Sequence, residues 1–567
     1  MYQPVLDPVS GSLGLSAIFA ALPLITLFVL LGILRVTAWL ASLISLAVAL
    51  VVAIVVYSMS TGQALLSGSE GAVFGFFPIL WIVLNAIWIY NMTVRTGHFD
   101  VLRRSFGSIS DDQRIQAVII AFCFGALLEA LAGFGTPVAI TSVMLIALGF
   151  RPLKAATLAL VANTAPVAFG ALAVPITTLA KVSALPQQDL SSMVGRQTPL
   201  LALFVPIALV FIIDKGRGVK ATLPATLACG VVFALAQYVT SNFISTQLTD
   251  IVASLLSAVT VVLVLRVWQP AHTFTSVDAE SAEEPAETAA VGGRRARAGA
   301  EPTARSETVE QMRASDADHH DPPAEVWRAY APYLIIIAVF VITQLPVIND
   351  WFDKPTQMFN WPGLHLKTAG GDPSTIPVFK FNWLNAAGTL LIIAGLITMP
   401  LIRIKPSEAL KAYIETYRQL AAAIVTVMAV LGLAYVMNAS GETVTLGTWM
   451  AGAGGAFALL SPILGWIGVA VTGSDTSSNS LFGALQVSAA HQAGLTPTLM
   501  AAANSSGGVL GKMISPQNLA IGAAAVGMSG REGDLFRKVF AWSLLFLAFM
   551  CVIVVLQSTS VLSWMVP

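Results

Sequence analysis

Gly133-Phe134-Gly135-Thr136-Pro137, then Ala162-Asn163-Thr164-Ala165-Pro166 with Gly170 and Pro175, interrupts two long apolar stretches of the chain. The same design returns about 341 residues later as Gly473-Ser474-Asp475-Thr476-Ser477-Ser478-Asn479, then Ala503-Asn504-Ser505-Ser506-Gly507-Gly508 with Gly511 and Pro516. Ala162, Asn163, Gly170 and Pro175 fall in register with Ala503, Asn504, Gly511 and Pro516. A duplicated pair of apolar segments broken by Gly and Pro is the sequence mark of a secondary transporter's binding site, where discontinuous membrane helices meet. The two signatures therefore set both the expected architecture and the expected site.

Composition agrees. The chain is 56% hydrophobic and 11% charged, against roughly 25% charged in a soluble domain. Apolar stretches near the length of a membrane crossing alternate with short polar loops, and they are too apolar for the alternating pattern of an outer-membrane barrel. The expected fold class is an all-α polytopic membrane protein. A formal net charge of zero gives no reason to expect nucleic acid as a partner. Cys123, Cys229 and Cys551 lie in apolar segments without metal-ligand spacing, as buried small hydrophobes do. The apolar run at 13–34 has no basic residues before it and reads as a first membrane helix rather than a signal peptide.

Loop charges give the topology. Crossings are expected at 13–34, 37–59 and 72–93, with Arg35, Arg95, Arg103, Arg104 and Arg114 on one side and no Lys or Arg before residue 13 or near Glu70. The positive-inside rule places the N-terminus outside. A hairpin at about 116–150 enters and leaves on the basic side, where Arg151 and Lys154 follow it. A broken helix at about 155–182 and a crossing at 197–213, ahead of the basic loop 215–220, complete a first repeat, 1–214. Two additional crossings fill 215–266. Residues 267–328 turn rich in Ala, Glu, Arg, Ser, Thr and Pro and read by composition as a disordered cytoplasmic linker. A second repeat, 329–567, is expected to hold crossings near 331–347, 383–402 and 419–437, a hairpin at about 448–490, a broken helix at about 497–525 and a last crossing at 539–560. Each half then has an odd number of full crossings, so the halves are inverted and both termini lie outside. The fold class sharpens to an inverted-repeat secondary transporter with two helical hairpins and two broken helices.

The signature residues suit an anion. Thr136 and Pro137 fit the N-cap and first position of the hairpin's second limb, and Ser474 and Thr476 can cap the other. Both tips then aim helix N-termini, with their free N–H groups, into the membrane interior. Unwound backbone at Asn163–Pro166 and Asn504–Gly508 is tolerated at depth only where it lines a cavity or is covered by protein. Gly135, Thr136, Asn163, Thr164, Ser474, Thr476, Ser477, Asn479, Asn504, Ser505 and Ser506 are the candidate polar contacts. Alternatively, these groups only satisfy broken backbone. Two charges lie deep, and such a group costs roughly 3 kcal/mol at a helix centre, which marks it as functional by default. Lys512 suits a substrate carboxylate. Glu129 suits a proton carrier, since burial penalises its charge; the alternative is a structural Glu129–Lys512 pair. Asp475 either caps its helix, titrates or helps bind a cation. His491 reads as a surface residue. The sequence holds no metal-ligand cluster, nucleophile–base pattern or phosphate-binding loop, so neither an enzyme, a cofactor nor ATP-driven transport is expected.

At these residues the chain resembles the lactate permease family of bacterial transporters. The matching stretches are 129–141 (EALAGFGTPVAIT), 160–176 (LVANTAPVAFGALAVPI), 473–486 (GSDTSSNSLFGALQ), 502–518 (AANSSGGVLGKMISPQN) and 530–537 (GREGDLFR). The polar insert at 267–328 is the departure. The resemblance implies uptake of L-lactate, D-lactate or glycolate with a proton across the inner membrane. The chain is also similar to the wider ion-transporter group with paired hairpins, in which some members move divalent anions with sodium. A sodium-coupled carboxylate or sulfonate carrier and an anion channel stay open as alternatives. Residue chemistry alone reaches a small-anion secondary transporter, with the anion, a proton and the bilayer as its partners.

Overall fold

Apolar runs punctuated by Gly, Pro and capping residues set the helices of the first half. They are α1 (Leu13–Phe28), α2 (Ala38–Val55), α3 (Thr61–Phe74), α4 (Trp81–Arg95), α5 (His98–Gly107), α6 (Gln113–Val118), α7 (Gly125–Ala132), α8 (Thr136–Ala147), α9 (Pro152–Ala162), α10 (Gly170–Ser183) and α11 (Gln187–Ala202). A wide turn at Ile119–Phe124 joins α6 to α7 as one rod. Next come α12 (Val205–Val239) and α13 (Thr249–Val267). The second half runs α14 (Pro323–Thr343), α15 (Pro346–Asp353), an antiparallel pair β1 (Gln357–Asn360) and β2 (Val378–Phe381), α16 (Ala387–Leu401), α17 (Pro406–Gln419), α18 (Ala421–Ser440) and α19 (Glu442–Met450). It closes with α20 (Phe457–Thr472), α21 (Asp475–Ala493), α22 (Pro497–Gly511), α23 (Pro516–Ala525) and α24 (Glu532–Gln557).

The computed structural model describes residues 1–107, 109–133, 135–274, 321–343, 345–371, 373–374, 376–528 and 531–567. Of the expected linker, 275–320 lies outside the described residues, as do Phe134 and Gly530 of the matching stretches; its end from Pro323 is not linker but the first turns of α14, an apolar helix that simply starts earlier. Among the described residues, ten helices are long and apolar enough to cross a membrane, or eleven with one bent pair counted as a span. The chain is an all-α polytopic membrane protein. Its centre is the first hairpin: the apolar window of Gln113–Leu131 is 100% buried, whereas that of Leu13–Leu31 is 33% buried and presents its remainder outward.

The halves exchange packing partners. α3 packs on α18 and α17 on α4; α2 packs on α18 and α16 on α4; α1 packs on α19 and α14 on α5. In the centre α10 packs on α21 and α23 on α8, while α11 packs on α22 and α24 on α9. Reciprocal pairs of this kind are what a two-fold relation between halves produces. α12 and α13 stand outside the exchange, packing on each other and on the first hairpin.

Several expected boundaries shift, each for a local reason. The third crossing is Thr61–Arg95, not 72–93. It is broken at Phe77, which is extended (φ −126°, ψ 121°) because Pro78 follows. Its first part is too polar for a hydropathy reading, yet Gly68, Gly71 and Gly75 bring it against α18. The crossing expected at 197–213 begins at Gln187, its polar residues being held internally, as in Ser191 Oγ to the Ser241 carbonyl (3.0 Å). The basic loop expected at 215–220 shrinks to a kink at Asp214 and Lys215.

The second broken helix differs most. Asn504–Gly508 stays helical, and the break falls at Lys512–Ser515. Here the glycines are packing surfaces: a Cβ on Gly507 would strike Pro462 backbone, one on Gly511 the Trp466 carbonyl, and one on Gly465 the Asn504 carbonyl. The small-residue stripe therefore brings α20 and α22 into backbone contact instead of ending the helix. In the first repeat α9 and the helical segment from Val167 do part, bent by 63°.

Gly465→Val tests this contact. Overpacking costs about 1–3 kcal/mol, so the variant should unfold below the wild type in a detergent melt. An unchanged melting temperature would show that α20 and α22 are not in backbone contact.

Candidate functional site

The first tip is built on two glycines. Gly133 (φ 41°) and Gly135 (φ 85°) occupy left-handed backbone, which reverses the chain between α7 and α8 within three residues. Gly135, not Thr136, is the N-cap of α8, so Thr136 and Pro137 move one position into the helix. The second tip turns at Gly473 (φ 75°), and the Ser474 hydroxyl caps α21 by accepting from the Ser477 N–H at 3.3 Å. Asp475 does not cap: its Oδ2 accepts from Ser505 Oγ (2.5 Å) and Asn479 Nδ2 (3.3 Å), and its Oδ1 has no partner among the described residues.

Both tips face one cavity of about 630 Å³. Gly133, Thr136 and Glu129 line it from the first hairpin, Thr472 to Ser477 from the second, Gly170 and Ala171 from the first broken helix, and Lys512, Gln517 and Asn518 from the second. Four helices, α8, α10, α21 and α23, thus begin at its wall. Free N–H groups and the positive ends of the helix dipoles favour an anion there. Val83 and Ile87 of α4 and Ala423 and Val427 of α18 supply apolar walls, and Thr37, Trp39 and Gln419, which are exposed, also line it.

The charge sits in one ion pair. Lys512 Nζ lies 2.6 Å from Glu129 Oε1, with side chains 8% and 4% exposed, so the two are shielded from water except through the cavity. Glu129 Oε2 accepts from Asn163 Nδ2 at 2.9 Å. Gly170 makes room for the carboxylate, since a Cβ there would lie 2.8 Å from Oε1. Lys512 is carried by the short turn between α22 and α23; Ser515 donates to its carbonyl (2.9 Å) and caps α23 through the Asn518 N–H (3.3 Å).

The other candidates separate into those on the cavity and those behind it. Glu129, Thr136, Ser474, Asp475, Thr476, Ser477 and Lys512 line it. Gly135 instead packs under Ile521. Thr164 returns its hydroxyl to the Val161 carbonyl (2.7 Å). Asn479, Asn504 and Ser505 form a network behind the second tip: Gln486 donates to Asn504 Oδ1 (3.1 Å), Asn504 to Asn479 Oδ1 (2.9 Å), and Asn479 to the Pro175 carbonyl (3.2 Å). This network ties α21 and α22 to α10. Ser506 is buried without a partner among the described residues. Gly170, Gln517 and Asn518 were not singled out as site residues. Their signal was present, because Gly170 stands in register with Gly511 and Gln517-Asn518 closes the second signature.

A family model described as L-lactate permease matches residues 16–561. The L-lactate permease of Escherichia coli (strain K12) is 40% identical over 579 residues, covering 100% of each chain. The glycolate permease GlcA of the same strain is 40% identical over 570 residues, covering 98% of this chain and 97% of its own. The solved structure of MtrF from Neisseria gonorrhoeae, described as illuminating a class of antimetabolite efflux pumps, aligns with a TM-score of 0.50 at 14% identity. It covers 93% of this chain and 96% of that one, a likeness of fold alone.

Removing one member of the buried pair should be costlier than removing both. Lys512→Met strands the Glu129 carboxylate, a loss of about 3–5 kcal/mol, whereas Lys512→Met with Glu129→Gln strands nothing. In detergent melts the single variant should fall well below the wild type and the double variant should recover most of the difference. Equal melting of the single and double variants would show the pair is not formed.

Proposed function

The chain belongs to the L-lactate permease family, and we propose that it takes up small 2-hydroxy monocarboxylates, lactate and glycolate, together with a proton. As a member of a permease family it is a transporter and not an enzyme. The observation that carries the coupling is the Lys512–Glu129 pair on the cavity wall.

The substrate carboxylate takes the place of Glu129 at the Lys512 ammonium and draws on the N–H groups at the tips. Its 2-hydroxyl pairs with Ser474, Thr476, Ser477, Thr136 or Asn518, all on the wall. A displaced Glu129 would be an unpaired buried carboxylate, costing several kcal/mol. Taking up a proton removes that cost. Anion and proton then favour each other's binding, and linkage makes the effect reciprocal.

The exchanged helix packing supports an inverted relation between repeats 1–214 and 329–567, with 215–266 as two additional crossings and a pseudo-two-fold axis in the membrane plane. The exposed part of the cavity lining, at Thr37, Trp39 and Gln419, adjoins Arg35 and Arg418. By the positive-inside rule this is the cytoplasmic side of the inner membrane, so the conformation faces inward and both termini lie outside.

Reconstituted protein should accumulate labelled lactate and glycolate when the outside is acidic, whether or not sodium is present. Accumulation driven by a sodium gradient alone would instead make the protein a sodium-coupled carrier. Lys512→Ala should abolish both accumulation and exchange. Glu129→Gln mimics the protonated carboxyl, so it should keep lactate–lactate exchange and lose accumulation driven by the pH gradient. Full proton-driven accumulation in Glu129→Gln would remove the coupling role from this residue.

A further inference from the structure

α13 carries a second buried carboxyl that the cycle above leaves unused. Asp250 is 0% exposed. Its Oδ1 accepts from Gln237 Nε2 at 2.9 Å, and its Oδ2 has no partner among the described residues. The same Gln237 nitrogen lies 3.4 Å from the Ala165 carbonyl, inside the break of the first broken helix. Two residues earlier in that break, Asn163 holds Glu129. The broken turn therefore carries both carboxyls, Asp250 through Gln237 at Ala165 and Glu129 through Asn163 two residues earlier.

The surrounding charges set the proton count. Of the elements packed on α13, α7 presents Glu129, the 119–124 turn presents the thiol of Cys123, and α10 has only Lys181, in its last turn. α12 presents Cys229 and, at its opposite end, the cluster Asp214–Lys220; the 240–244 turn has no titratable residue, and Arg266 is at the far end of α13 itself. Lys512 compensates one carboxylate, and it is paired with Glu129. Among the described residues no cation pairs with Asp250, and a buried carboxylate left unpaired is costly.

We propose that Asp250 is a second proton-carrying residue of the transport cycle, the one that supplies the proton taken up by Glu129. The proposal rests on the reading of Glu129 as the coupling carboxyl. When the substrate anion takes Lys512, the O–H bond on Asp250 breaks and its proton forms an O–H bond on Glu129. The Asp250 carboxylate left behind keeps the Gln237 N–H and regains a proton from the outer side. A proton thus waits on one carboxyl while the other holds Lys512.

Asp250→Asn tests this, because the amide keeps an acceptor for Gln237 and loses only the proton. Proton-driven lactate accumulation in proteoliposomes should fall at least about tenfold, lactate–lactate exchange at equal pH should persist, and Asp250→Glu should restore accumulation. Undiminished accumulation in Asp250→Asn overturns the proposal. So does loss of exchange together with accumulation, which is the signature of a structural role. A wild-type protein that is not driven by pH would instead defeat the reading of Glu129. Independently of any variant, the lactate-induced infrared difference spectrum of the unmodified protein should pair the loss of one protonated-carboxyl band with the gain of another. Gain alone overturns the transfer.

Discussion

A carboxylate and an ammonium 2.6 Å apart, each almost without exposure, are tolerable inside a membrane protein only as a pair. Much of the central structure serves that condition. Glu129 comes from the first half and Lys512 from the second, so the pair forms only when the two halves are docked. Gly170 leaves the space for the carboxylate and Asn163 satisfies its second oxygen. On the other side, the glycine face of α22 lies backbone to backbone on α20, which fixes where α22 ends and hence where Lys512 emerges. The small-residue packing and the charge chemistry are thus consecutive parts of one constraint.

The low charge content of the chain follows from how the rest of the cavity is made polar. Four helix N-termini supply N–H groups that need no ionised side chain and cost nothing to desolvate as full charges. Hydroxyls at Thr136, Ser474, Thr476 and Ser477 add neutral donors and acceptors at the same wall. Such a site suits a monoanion with a single cation. In the empty cavity Glu129 stands where the substrate carboxylate is proposed to bind.

Most of this architecture was legible in the sequence because it is written in Gly, Pro and Asn within apolar runs, residue types whose backbone consequences are local. The hairpins and the first broken helix could be read that way; Lys512 and Glu129 stood out as charges in apolar sequence, with their pairing one of two open readings. What was not legible depends on distant contacts. Whether Gly507, Gly508 and Gly511 break a helix or pack one is decided by α20, some forty residues earlier in the chain. Whether Asn479 and Asn504 face a ligand or each other depends on Gln486 and the Pro175 carbonyl. The early part of the third crossing escaped because it packs through Gly68, Gly71 and Gly75 and returns serine hydroxyls to its own helix; the first turns of α11 escaped because their polar residues bond to the Ser241 carbonyl.

The duplication also explains what is not duplicated. The offset that maps Asn163 onto Asn504 and Gly170 onto Gly511 maps Glu129 onto Ala470 and Lys512 onto Ala171. The scaffold is repeated; the ion pair occurs once. Two copies of the pair would place two carboxylates and two cations around one cavity and bind two anions with two protons. In the proposed cycle one copy gives a single exchangeable anion position between two similar tips, around which either half would rock against the other. α12 and α13 stand outside the exchanged packing, and they bring a further buried carboxyl, Asp250, to the break that holds Glu129. The proposed symmetry would supply the two access routes, and the departures from it the charge proposed to cross with the substrate.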